Sequence, residues 1–87
     1  MKTHLLRELP SSEQPMQRLT QYGAGALSYA ELLQVVLGAG DEPIGFELVS
    51  EYKSLAGIAR AGLYELQKFN GIGQQRAARL QATFELG

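Results

Sequence analysis

The residues with the most chemical potential lie in one stretch near the C-terminal end, Leu66-Gln67-Lys68-Phe69-Asn70-Gly71-Ile72-Gly73-Gln74-Gln75-Arg76-Ala77-Ala78-Arg79-Leu80. Its skeleton is apolar-x-x-apolar-x-Gly-apolar-Gly-x-x-x-Ala-x-x-apolar. Leu66 and Phe69 lie one helical turn apart and would bury a first helix. Gly71 and Gly73 tolerate backbone conformations closed to other residues and let a ligand approach the main chain. Ile72 would turn inward, and Ala77 is small enough for two helices to pack closely. A helix beginning after Gly73 has first N–H groups without internal partners, at the positive end of its dipole. A phosphate oxygen fits such a place, and consecutive glycine amides add a small anion-binding concavity. Arg76 in the first turn, Arg79 one turn on and Lys68 before the loop would reach neighbouring phosphates. Contacts of this kind give affinity without reading bases.

The pattern resembles the helix-hairpin-helix family of DNA repair and recombination proteins. The likeness covers about 15 residues and keeps every main position. It departs where the family often has proline before the first glycine and this chain has Asn70, itself a turn former. On this reading the DNA contacts come from Lys68, Asn70, Gly71, Ile72, Gly73, Arg76 and Arg79. The plainer alternative is a solvated basic face on a purely structural hairpin.

Other chemistry is thin. His4 has no partner histidine and reads as a solvated tail residue, and there is no cysteine for a thiolate metal site. Asp41-Glu42 reads as an acidic pair at a helix start, favoured by the dipole. Gly38-x-Gly40 follows no strand and lacks dinucleotide-loop spacing. Tyr22, Tyr29, Tyr52 and Tyr64 sit at helical spacings that suit core or rim packing better than base stacking. No nucleophile–base pair or ligand cluster emerges, so neither enzyme activity nor a cofactor is expected.

The elements that must position the motif are all helical. Pro15 suits a first helical position, and Met16, Leu19 and Tyr22 then fall on one face, with Gly23 and Gly25 as the stop. Ser28-Tyr29-Ala30-Glu31 is a capping box. It opens a helix to about Leu37 that is apolar on more than one face and is expected to be the most buried. Pro43 opens the next, with Ile44, Leu48, Val49 and Tyr52 as its stripe. Ser54 caps a turn carrying Leu55, Ile58 and Ala59. Gly62 breaks the chain, Leu63, Leu66 and Phe69 follow, and a last helix runs from Gln74 to about Leu86 with Ala77, Leu80 and Phe84 inward. No stretch alternates with period two. The expected fold is all-α, a compact bundle of five or six short helices, with residues 1–14 a tail and 15–87 the domain. The helical pattern continues to the last residues, which suggests a piece of a longer protein or a module awaiting a second domain.

An internal echo accompanies the motif. Leu33, Val36, Gly38, Ala39 and Gly40 each stand 33 residues before Leu66, Phe69, Gly71, Ile72 and Gly73. Beyond the second glycine the copies diverge, and Asp41-Glu42-Pro43 would repel a phosphate. The first copy therefore reads as a degenerate hairpin packed against the second.

Charge limits the interpretation. Net charge is −1 and the pI about 5.7, whereas a domain held on duplex DNA by electrostatics alone should be basic. Any grip is expected to be local, weak and sequence-independent. Residues 27–57 hold Glu31, Asp41, Glu42, Glu47 and Glu51 against Lys53, and residues 66–82 hold Lys68, Arg76 and Arg79 with no acid. No apolar run approaches the roughly 20 residues of a membrane span, and the N-terminus lacks the form of a secretory signal. The chain reads as soluble and cytoplasmic.

The whole chain also resembles the N-terminal domain of the RadC family of bacterial proteins. The residues that carry this are Pro15, Arg18-Leu19-x-x-Tyr22-Gly23, Ala26-Leu27-Ser28-x-Ala30-Glu31-Leu32-Leu33, Leu37-Gly38-x-Gly40 and Gly71-Ile72-Gly73. The family usually has Asp in place of Tyr29 and Thr-Gly in place of Ala39-Gly40. The resemblance implies an association with DNA repair. It also implies, in full-length relatives, a C-terminal domain similar to metal-dependent deubiquitinase-like proteases, whose His-x-His, serine and aspartate are missing here. The alternative to DNA binding is thus a protein-interaction or scaffold domain that positions such a partner domain.

Overall fold

The computed structural model describes residues 14–87, so the readings placed on residues 1–13, His4 among them, lie outside the described residues. The described residues form five α-helices, α1 (Pro15–Tyr22), α2 (Tyr29–Leu37), α3 (Ile44–Tyr52), α4 (Leu55–Leu66) and α5 (Gln74–Leu86), with a 3-10 turn at Ala24–Ala26. No strand occurs among the described residues, and the all-α bundle expected from the sequence is the fold.

The helix starts follow from local chemistry. Ser28 Oγ accepts from the Glu31 N–H at 3.2 Å while Glu31 Oε1 accepts from the Ser28 N–H at 2.8 Å, completing the capping box of α2. Ser54 Oγ accepts from the Gly57 N–H at 3.0 Å and starts α4. Gly62 interrupts α4 with φ 80° and ψ 166°, as its residue type suggested.

The core joins Leu33 and Leu37 of α2, Ile44 and Leu48 of α3, Ile58 and Leu66 of α4, and Ala77 and Leu80 of α5. Ala39 and Ile72 enter it from the two inter-helix turns. Three expectations about burial change. Met16 and Tyr22 remain 55% and 59% exposed, so α1 does not seat an apolar stripe. It is held instead by Arg18, whose guanidinium donates to the Ala26 carbonyl at 2.7 Å and pairs with Glu31 at 2.9 Å. Leu63 is also exposed, because the break at Gly62 turns the last part of α4 away from the line of Ile58. Nor is α2 alone the most buried helix, since α3 places three residues in the interior, as α2 does.

The 33-residue echo has a structural counterpart. Two helix pairs, α2–α3 and α4–α5, are joined by glycine turns, and Gly38 and Gly71 both take positive φ, 60° and 92°. Ala39 and Ile72 both point inward. The copies part at the second glycine. Gly73 is extended and leads directly into α5. Gly40 is left-handed, and Asp41-Glu42-Pro43 intervenes before α3.

One buried polar residue closes the first turn. Gln34 is 3% exposed. Its Oε1 accepts from the Gly45 N–H at 2.5 Å, and its Nε2 donates to the Glu42 carbonyl at 2.6 Å. Gly45 also lies so near α2 that a Cβ there would stand 2.6 Å from the Ala30 carbonyl oxygen. The equivalent glutamine in the second copy, Gln67, is exposed. Replacing Gln34 by Leu strands the buried Gly45 N–H, at about 1–3 kcal/mol, and removes the partner of the part-buried Glu42 carbonyl. Urea unfolding should therefore show a loss of about 2 kcal/mol or more for Gln34→Leu, against less than about 0.5 kcal/mol for Gln67→Leu, a surface change.

Candidate phosphate-binding turn

The candidate site is the turn of residues 67–73 and the first turn of α5. The backbone is pinned from inside: the Ile72 N–H donates to the Phe69 carbonyl at 3.0 Å, and Ile72 is buried. Gly71 packs so closely on Ile44 that a Cβ would lie 2.9 Å from its Cδ1. That contact seats the second turn on the start of α3. Asn70, Gly71, Gly73, Gln74 and Gln75 are exposed around this anchor.

The start of α5 lacks the side-chain oxygen that α2, α3 and α4 each receive. Ser28 and Ser54 cap α2 and α4, Gln34 supplies an oxygen to α3, and α1 begins on Pro15, which has no N–H to satisfy. The N-cap of α5 is Gly73, which offers no side chain, and its first turn holds no acid. The amides of this first turn have no intrahelical acceptor. They open onto an exposed surface at the positive end of a 13-residue helix.

The three cations of the sequence reading are placed differently from one another. Arg76 Nη1 donates to the Gly71 carbonyl at 2.9 Å, bracing its own turn. Its Nη2 makes longer contacts of 3.4 Å with the Gly38 carbonyl and with Glu42 Oε1. Arg79 Nη1 lies 3.5 Å from the Leu37 carbonyl. Both arginines thus address the C-terminal end of α2, where the helix dipole is negative. They tie the two turns together, which the sequence reading did not foresee. Lys68 stays outside and sits over the Tyr64 ring, 4.7 Å from its centroid.

The sequence reading also missed Gln34 and Glu42. A glutamine within Leu32-Leu33-Gln34-Val35-Val36 is the signal that existed for the first, since a polar side chain in an apolar run needs a buried partner. Nothing local marked Glu42 as a neighbour of Arg76, 34 residues away. At the edge of the site, Tyr52 donates its hydroxyl to Glu65 Oε2 at 3.1 Å and packs its ring 6.3 Å from that of Phe69. Desolvation, and then the Glu65 carboxylate, raise its phenol above the usual value.

The model of the family described as UPF0758 N-terminal matches residues 6–78. The chain belongs to the UPF0758 family. This is the RadC family whose pattern the sequence carries. A UPF0758 protein of Roseiflexus castenholzii is 38% identical over 87 residues, covering 94% of this chain and 37% of that protein. One from Desulfitobacterium hafniense is 40% identical, with 94% and 38% covered. Another, from Trichlorobacter lovleyi, is 38% identical over 95 residues, with 100% and 41% covered. The chain therefore spans about two fifths of the length of these relatives. No solved structure matches it. No helix among the described residues is long and apolar enough to cross a membrane.

The geometry ranks the interactions of Arg76. Its tie to the Gly71 carbonyl is close and charge-assisted, whereas its pairing with Glu42 is long and solvent-facing. Arg76→Ala should cost about 1–2 kcal/mol in urea unfolding. Glu42→Ala should cost less than about 0.5 kcal/mol, because an exposed ion pair is worth little. Equal losses would place the stabilisation in the ion pair instead.

Proposed function

We propose that this domain is a DNA-binding module, not an enzyme, which grips backbone phosphate through a helix-hairpin-helix formed by α4, the 67–73 turn and α5. The observation that carries the reading is the uncapped, acid-free start of α5 beside exposed Gly71 and Gly73. The phosphate sits against the exposed amides of Gly71, Gly73, Gln74 and Gln75, since the Ile72 N–H is spent on the Phe69 carbonyl. Lys68 supplies the outward charge, while Arg76 and Arg79 lend field and hold the turn in shape. A grip made mainly of amides explains how a chain of net charge −1 would bind a polyanion at all. The contact ignores base identity and is weak. The RadC resemblance, which implies an association with DNA repair, supports this reading, and we take the module to be cytoplasmic as part of it.

A second reading rests on a separate feature. Tyr29, Leu32, Val36, Leu55 and Phe84 line an apolar groove of about 300 Å³ that reaches Gly87. It lies by the C-terminal end of α5, away from the turn. A scaffold domain would use it to seat a protein partner, such as the metalloprotease-like part that the family resemblance implies.

Gln75→Glu separates the readings. A carboxylate in the first turn of α5 favours the helix dipole, so thermal stability should hold or rise. The same charge repels phosphate, and a repulsion of about 1 kcal/mol at 4 Å in water corresponds to roughly fivefold weaker DNA binding. Fluorescence anisotropy at low salt should show that loss, with the affinity of the parent falling steeply as salt is added. An unchanged affinity would move the DNA contact elsewhere. A parent that binds no DNA would leave the scaffold reading.

A further inference from the structure

We propose that Tyr64 and Lys68 form a stacking site for an unpaired base, so that the turn engages single-stranded DNA in preference to intact duplex; this rests on the phosphate-grip reading above. Tyr64 is 77% exposed, whereas Tyr52 is half-buried against the core and packed on Phe69. Tyr22 is exposed at the end of α1, and Tyr29 lines the apolar groove. Tyr64 is the tyrosine carried on the helix that leads into the candidate turn.

The Lys68 ammonium lies over one face of the ring, 4.7 Å from its centroid, within cation–π range. That contact ties the ring to Lys68, and its exposure leaves it room to receive a ligand. The neighbouring carboxylate, Glu65, is drawn away by the Tyr52 hydroxyl. Lys68 supplies the positive charge at the ring itself, and residues 66–82 hold no acid, the Arg76 charge being shared with Glu42. Lys68 precedes Gly71 by three residues, a chain span of at most about 10 Å. A strand whose phosphate rests on the turn would therefore have a base a few nucleotides away within reach of the ring. Base–aromatic stacking tolerates every base and suits a contact that does not read sequence. In a duplex the bases are already stacked, and extruding one is costly. The ring thus adds affinity only where a strand is unpaired.

Anisotropy titrations of the 87-residue protein with a labelled mixed-sequence single strand and with the matching duplex test this. Tyr64→Ala and Tyr64→Phe accompany the parent, with circular dichroism to confirm that each is folded. The alanine variant should bind the single strand about tenfold more weakly, the phenylalanine variant should bind like the parent, and duplex affinity should be unchanged in both. Full single-strand affinity in Tyr64→Ala, an equal loss on both DNAs, or a parent that binds only duplex each overturns the stacking site while leaving the phosphate grip standing. A parent that binds neither DNA overturns both.

Discussion

Every α-helix starts with N–H groups that its own turns cannot satisfy, and in this domain the way each start is met shapes both the packing and the candidate site. Two helices solve the problem locally with a serine oxygen, and α1 begins on a proline, which removes one of those groups. The third helix borrows an oxygen from its neighbour: Gln34 reaches out of α2 to the Gly45 amide and also holds the Glu42 carbonyl. The first turn is thereby closed by the protein's own side chain. The fifth helix has neither a cap nor an acid. The two glycine turns consequently end in opposite states, one sealed and one open.

An open turn is useful only if it keeps its shape, and the contacts around it serve that end. Ile72 anchors the turn from below, Ile44 packs against Gly71, and Arg76 braces the Gly71 carbonyl. The arginines that look on paper like phosphate ligands lean across to the end of α2, where carbonyls and the negative helix dipole receive them. The sealed hairpin thus acts as a platform for the open one. It also brings Glu42 near Arg76, which softens the local positive field. A grip built on oriented backbone amides depends less on net charge than one built on lysines, and the acidic pI is compatible with it on those terms.

Much of this was legible in the residues. Ser28-x-x-Glu31, Ser54, Gly62 and the Gly71-Ile72-Gly73 turn mark their elements because each acts within three or four residues of itself. The family pattern could be read for the same reason, since its glycines and caps are local. The divergence of the two copies after the second glycine was visible in Asp41-Glu42-Pro43. Long-range pairings were not. The reach of Arg76 to Glu42 and of Arg79 to the Leu37 carbonyl depends on how two hairpins dock, which no local spacing encodes. Helical periodicity misjudged α1, because Met16, Leu19 and Tyr22 share a face without a partner surface, and a polar fastening by Arg18 does that work. It likewise grouped Tyr64 with the packed aromatics, whereas the break at Gly62 leaves that ring in solvent.

The central claim is that the second turn is open to anions and the first is closed. Amide chemical shifts of the 15N-labelled protein, followed as a short DNA oligonucleotide is added at low salt, test it residue by residue. Saturable shifts are expected at Gly71, Gly73, Gln74 and Gln75, with Gly38, Gly40 and Gly45 unmoved. Shifts centred on the first turn, or confined to the apolar groove between α2 and α5, would contradict it.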